Sequence, residues 1–179
     1  MMSSKRETYT VWMKSLVFHS NGCTVYNSNG DIVYRVDNYD TKGTREVNLM
    51  DLQGTVLCTI HKRKLRFGCW EGFRSSSRRK EKRWFQVKRC QKMMMKGKAE
   101  CEMRVGSQKY WIVGMGKTKA AFGIINIDRQ IVAEVKQKES WLSGVVLGDD
   151  VVTLEVDANT DHSLMMAFVT VYGLMRGRM

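Results

Sequence analysis

Hydrophobic and polar residues alternate along most of this chain and stop alternating near its end. Period-two runs rich in β-branched and aromatic residues fall at 24–27, 32–36, 47–50, 56–60, 65–67, 84–88, 100–105, 110–113, 122–125, 145–147 and 151–156. With the turns between them they predict ten to twelve short β-strands. From Leu164 to Met175 the pattern changes, because nearly every residue is apolar. The run is about 12 residues long, short of the ~20 that cross a bilayer. A helix that is apolar on all sides is buried on all sides. The strands must therefore close around it, which leaves no free sheet edge. The fold predicted is α+β, mainly β: a closed antiparallel β-barrel around a buried C-terminal helix spanning Asp161–Met175. Thr160 or Asp161 is placed to cap that helix, and Arg176 and Arg178 sit where its dipole favours cations.

Turn signals organise the strands. Asn27-Ser28-Asn29-Gly30 and Asp51-Leu52-Gln53-Gly54 each put glycine three residues after Asn or Asp, then one spacer and two apolar residues. Both read as β-hairpins. Asn126-Ile127-Asp128-Arg129 has the same spacing but carries Arg129 where glycine stood. A non-glycine residue is uncommon at positive φ, so a turn of another type is expected there.

The 179 residues suit one domain, with a tail at 1–7 and a barrel at 8–176. Proline is absent, which suits uninterrupted strands. The opening MMSSKRETYTVW has charge but no apolar core after it, and no segment has the length of a membrane span. With five scattered cysteines, this predicts a cytoplasmic or nuclear chain with reduced thiols.

The net charge of +12 is local. Between Lys62 and Lys98 stand 15 Lys and Arg against two acids, Glu71 and Glu81, a net of +13; the rest of the chain nets −1. Such a segment attracts polyanions: acidic lipid or nucleic acid. The candidate contacts are Lys62, Arg63, Lys64 and Arg66 at one hairpin end, Arg78, Arg79, Lys80, Lys82 and Arg83 in a basic loop predicted at 73–83, and Lys88 and Arg89 beyond it. Lys92, Lys96 and Lys98 continue the run, with Met93-Met94-Met95 between them as core filler or lipid contact. Ser75, Ser76 and Ser77 stand beside the charges, where phosphorylation would lower them. Trp70, Trp84 and Phe85 lie nearby, at strand spacing that suits a core better than base stacking.

Catalytic patterns are not met. Cys58 and His61 are three apart, which on a strand puts them on opposite faces. The cysteines form no paired metal-ligand spacing. Gly114-Met115-Gly116-Lys117-Thr118 lacks the first glycine of a phosphate-binding loop, because Trp111 stands at that position. Asp149-Asp150 reads as a solvated turn. No catalytic residue, metal ligand or cofactor is assigned.

The runs 9–16, 22–39, Leu49-Met50-Asp51, 54–60, 131–139 and 147–151, with the apolar C-terminal helix, closely resemble plant LURP-one-related proteins. The resemblance spans about Thr8 to Met175. It implies the fold of the tubby C-terminal domain and the phospholipid scramblases, a barrel of about twelve strands around a hydrophobic helix. By analogy with tubby it implies a membrane-tethered, phosphoinositide-binding module related to transcription factors, with a part in plant defence. It marks no catalytic or lipid-binding residue. The expected function is therefore a non-enzymatic, monomeric binding module, peripheral at the plasma membrane or nuclear. The alternative is a nucleic-acid or protein-interaction module using the same basic patch.

Overall fold

The computed structural model describes residues 5–13, 21–41, 44–63, 68–74, 82–90, 99–115, 121–138 and 150–177. Twelve strands precede one helix. They are β1 (Glu7–Trp12), β2 (Asn21–Tyr26), β3 (Ile32–Thr41), β4 (Thr44–Asp51), β5 (Val56–Lys62), β6 (Cys69–Arg74), β7 (Lys82–Arg89), β8 (Ala99–Val105), β9 (Gln108–Gly114), β10 (Phe122–Ile125), β11 (Ile131–Gln137) and β12 (Val151–Val156), followed by α1 (His162–Met175). Each strand pairs antiparallel with the next, and β1 closes the circle by pairing with both β2 and β12. The closed barrel around an apolar helix is the architecture expected from the sequence.

The helix is buried on every side. Residues from Leu164 to Gly173 are all buried, and Phe168 is 0% exposed. They meet the inward residues of the strands, among them Val11, Val25, Leu49, Ile60, Phe85, Met103, Ile112 and Leu154. Phe168 is held edge-on by Phe85 at 5.3 Å between ring centroids and lies 5.8 Å from Tyr110. A 14-residue helix is about 21 Å long and a seven-residue strand about 23 Å, so helix and barrel match in length. Thr170, polar and buried, donates to the Met166 carbonyl at 2.9 Å and leaves no unmet hydroxyl proton.

Both helix ends are tied to the barrel. Asp161 caps the N-terminus, accepting from the Leu164 amide, and also holds Arg74 at 3.0 Å. His162 Nδ1 lies 2.7 Å from the Tyr9 hydroxyl, which donates to Glu7 at 2.6 Å. At the other end Tyr172 donates to Glu100 at 2.8 Å and Arg176 to the same oxygen at 2.6 Å. Gly177, at φ 67, turns the chain out of the helix.

The three sequence-related hairpins share one turn. Asn27, Asp51 and Asn126 each donate a backbone N–H to the carbonyl four residues on and accept one from the residue three on. Their side-chain oxygens take the amides of Asp31, Thr55 and Gln130. Gly30 (φ 87), Gly54 (φ 81) and Arg129 (φ 61) hold the same left-handed position. A register shift follows on the adjoining strands in each case. The different turn expected at Arg129 is therefore corrected: the Asn126 side chain and backbone impose the same geometry on a residue that adopts it at a cost. Arg129→Gly is expected to raise stability by about 0.5–1 kcal/mol, read as a higher urea midpoint at unchanged slope.

Three strands escaped the period-two runs, and one of them, β11 (Ile131–Gln137), was marked only by its turn. Glu7–Trp12 is β1, so the tail expected at 1–7 already enters the barrel at its last residue, and Arg6 pairs with Glu155 at 2.7 Å. Cys69–Arg74 is β6. The loop expected at 73–83 is correspondingly shorter, because Phe73 and Arg74 end β6 while Lys82 and Arg83 begin β7. The strands expected at 65–67 and 145–147 lie outside the described residues.

Candidate functional site

The barrel's two ends differ. At the end where the helix begins, the hairpin turns at 27–31, 51–55, 106–107 and 126–130 are short, while the connection 75–81 at the same end spans seven residues with three Lys or Arg against one acid in its sequence. At the end where it finishes, the strands are joined by 13–20, 42–43, 63–68, 90–98, 115–121 and 138–150. All but 42–43 are longer than those turns. Within these five longer connections the sequence has ten Lys or Arg against three acids. It also has the apolar runs Leu16-Val17-Phe18 and Met93-Met94-Met95. Longer connections carried by a rigid barrel are where binding residues concentrate.

A cleft of about 510 Å³ opens at this end, within the size range of small-molecule sites. Lys62 from β5, Trp70 from β6, Gly68 before it, Arg89 from β7 and Cys90 after it line the cleft together with Leu174 and Met175 from the helix terminus. Antiparallel order produces this meeting, since Lys62 pairs with Trp70 and Lys88 with Cys69. The Lys62 ammonium stands 5.8 Å from the Trp70 ring centroid. Gly68 seats Arg89: its carbonyl accepts the Arg89 amide at 3.0 Å, and a Cβ at position 68 would come 2.9 Å from the Arg89 Cβ. Its φ of 67 is a second reason for glycine there.

Ion pairing separates the predicted cations. Arg63 (3.3 Å) and Arg83 (3.1 Å) both grip Glu71, which is buried on the outer face and also accepts from Gln86 at 3.1 Å. Arg74 lies 4.3 Å over Trp84 and holds Asp161. Arg6, Arg35, Arg104 and Arg176 also pair with carboxylates. Among the described residues, neither Lys62 nor Arg89 has a carboxylate within ion-pair distance. Glu100 is near enough for Arg89 to act on it, but its Oε2 is taken by Tyr172 and Arg176. Burial pushes the Glu100 carboxyl up, yet those hydrogen bonds and the Arg176 charge outweigh it, and the group is held below its ordinary value.

The structure thus brings Lys62 and Arg89 together and sets other candidates apart. Lys82 is opposite Arg74 at the far end of β7, about 23 Å along the strand from Arg89. Lys88 faces outward opposite Glu102. Lys64, Arg66, Arg78, Arg79 and Lys80 lie outside the described residues, as do the serine and methionine runs. Trp70 and Phe85 are buried, in keeping with a core role, although Trp70 also forms a cleft wall. Gly68, Leu174 and Met175 were not singled out by sequence, because their part depends on the helix terminus reaching this rim.

Reactive groups are poor here. Burial pushes the Cys23, Cys58 and Cys101 thiols up to about 12, so they are not thiolates at neutral pH. His61 packs against Phe73 on the outer face, away from the buried Cys58. Among the described residues no cluster of His, Cys, Asp or Glu suits a metal ion. Among them, too, no helix is long and apolar enough to cross a membrane.

Residues 7–173 match the LURP-one-related family. Protein LURP-one-related 4 of Arabidopsis thaliana is 47% identical, over 98% of this chain and 81% of its own length. Protein LURP-one-related 3 of the same plant is 40% identical, over 98% and 82%. A crystal structure of an Arabidopsis thaliana protein superposes with a TM-score of 0.67 over 98% of this chain and 94% of that one; at 14% identity it shows a shared fold. By the family match and these relatives alike, the chain belongs to the LURP-one-related family.

Proposed function

We propose that this protein is a non-enzymatic binding module that adsorbs to anionic membrane through the barrel end where the helix finishes. The observation that carries the reading is the open cleft there, with two cations that have no carboxylate within ion-pair distance among the described residues. The basic and apolar sequence of the connections joining strands at that end supports it. So does the tubby-like fold, which makes a phosphoinositide headgroup the preferred acidic lipid. On this reading the protein is cytoplasmic and peripheral at the plasma membrane. Each cation near an acidic surface contributes about 1 kcal/mol, so a handful suffices for reversible adsorption. A nucleic-acid role is less well supported, because Trp70 and Phe85 are buried and unable to stack on bases.

Vesicle co-sedimentation at near-physiological salt tests the reading. Vesicles with phosphatidylinositol bisphosphate are expected to take up more protein than phosphatidylserine vesicles of matched charge, and both more than neutral phosphatidylcholine. Binding no better than to phosphatidylcholine would overturn the proposal. A salt-resistant DNA complex would turn attention to the alternative.

A further inference from the structure

We infer that the cleft between Lys62 and Arg89 is a receptor site for a single phosphate monoester joined to an apolar group. The inference deepens the membrane-binding reading above and shares its end of the barrel. Three observations support it.

The first is charge selection. Most described arginines hold a carboxylate partner, yet the one seated on the cleft wall does not, and the lysine across from it contacts an aromatic face instead. Two positive charges on one concavity match the double negative charge of a phosphate monoester near neutral pH. A phosphodiester offers one. The guanidinium supplies a planar fork for two phosphate oxygens and the ammonium a point charge for a third.

The second is construction. Arg89 is held by a backbone hydrogen bond to Gly68, at a position where both φ and the approach of the two chains call for glycine. The competing acid, Glu100, already has its Oε2 engaged by Tyr172 and Arg176. The third is the apolar part of the lining. Leu174 and Met175, half-buried at the helix terminus, present apolar surface to whatever the phosphate is attached to. A bare inorganic anion would leave that surface uncovered; a glycerol or acyl portion covers it.

A phosphomonoester lipid and a soluble phosphomonoester share this chemistry, and calorimetry on the full chain separates them. The probes are dioctanoyl phosphatidic acid below its micellar concentration, dioctanoyl phosphatidylserine, and glycerol 3-phosphate. Phosphatidic acid is expected to bind at least about tenfold tighter than phosphatidylserine. Lys62→Gln with Arg89→Gln is expected to weaken it by about thirtyfold, fivefold per cation, at unchanged melting temperature. Lys82→Gln, at the far end of β7, is expected to change nothing. Glycerol 3-phosphate binding as tightly as the lipid would assign the site to a soluble monoester; much weaker binding would assign it to the lipid. Equal affinity for the two lipids, or no effect of the double substitution in a folded protein, would overturn the inference. If vesicles still adsorb the protein in that case, the membrane reading stands without this cleft. If the short-chain monoester binds and vesicles do not, the cleft stands without the membrane.

Discussion

Phe168→Asp is expected to leave the chain unfolded at room temperature. Phe168 is fully buried at the centre of the helix, against Phe85 and Tyr110. Truncating a core aromatic costs about 3–5 kcal/mol. The new carboxyl has no polar partner in that apolar setting. It would protonate rather than stay charged, and a neutral carboxyl without hydrogen bonds still costs about 1–3 kcal/mol. The combined loss of about 4–8 kcal/mol is comparable to the lower half of the ~5–15 kcal/mol that stabilises an ordinary domain. Circular dichroism and thermal melting read the outcome, with Phe168→Leu as a variant that keeps the site apolar and stays folded. A soluble Phe168→Asp protein with a cooperative melt would mean that the helix is not the core of the barrel. The same experiment at Val169 has the same expected result, because its neighbours are equally apolar.

That centre was legible in the sequence because it breaks the rule around it. Elsewhere apolar residues come every second position; from Leu164 to Met175 they come at nearly every position, which neither a surface helix nor a half-buried strand tolerates. β6 was illegible for the converse reason. Cys69, Trp70, Glu71 and Gly72 are buried in succession, so no alternation marks the strand, and one of the four is a carboxylate. Glu71 is tolerated only because Arg63, just past β5, and Arg83 and Gln86 of β7 reach it, partners no local window contains. The basic segment shows the same limit. As sequence it is one run of positive charge. Folded, it crosses the barrel wall twice, leaving Lys82 at one end and Lys62 and Arg89 at the other, while Asp161, 87 residues away, takes Arg74. Which cations remain free for a ligand depends on those long-range pairings. The cleft was therefore within the predicted segment but not separable from it.

Gly72→Ala is the second substitution with a large expected effect. Gly72 faces the barrel interior opposite Phe85 in the register of β6 and β7. A Cβ there would press into the Phe85 ring, against Cε1 and Cζ and 2.8 Å from Cδ1. The ring has nowhere to retreat, since Phe85 is 1% exposed and is boxed in by Trp84 on its own strand and Phe168 on the helix. A register shift between Gly72 and Phe73 brings Trp84 to this side as well, packed against the core. Overpacking a core of this density costs about 1–3 kcal/mol, and the top of that range or beyond is expected here. For a chain of this length that lowers the melting temperature by roughly 6–12 °C. Gly123 supplies the contrast. A Cβ at 123 would come 2.7 Å from the Met115 sulfur, the far part of a flexible side chain, so Gly123→Ala is expected to cost much less. Phe85→Leu should restore part of the stability lost in Gly72→Ala, because the smaller side chain vacates the space the methyl needs. Urea melts of both single variants and the double variant measure that coupling, which is expected to favour the double variant by about 1 kcal/mol or more. Strictly additive losses would place the two residues out of contact and the β6–β7 register elsewhere.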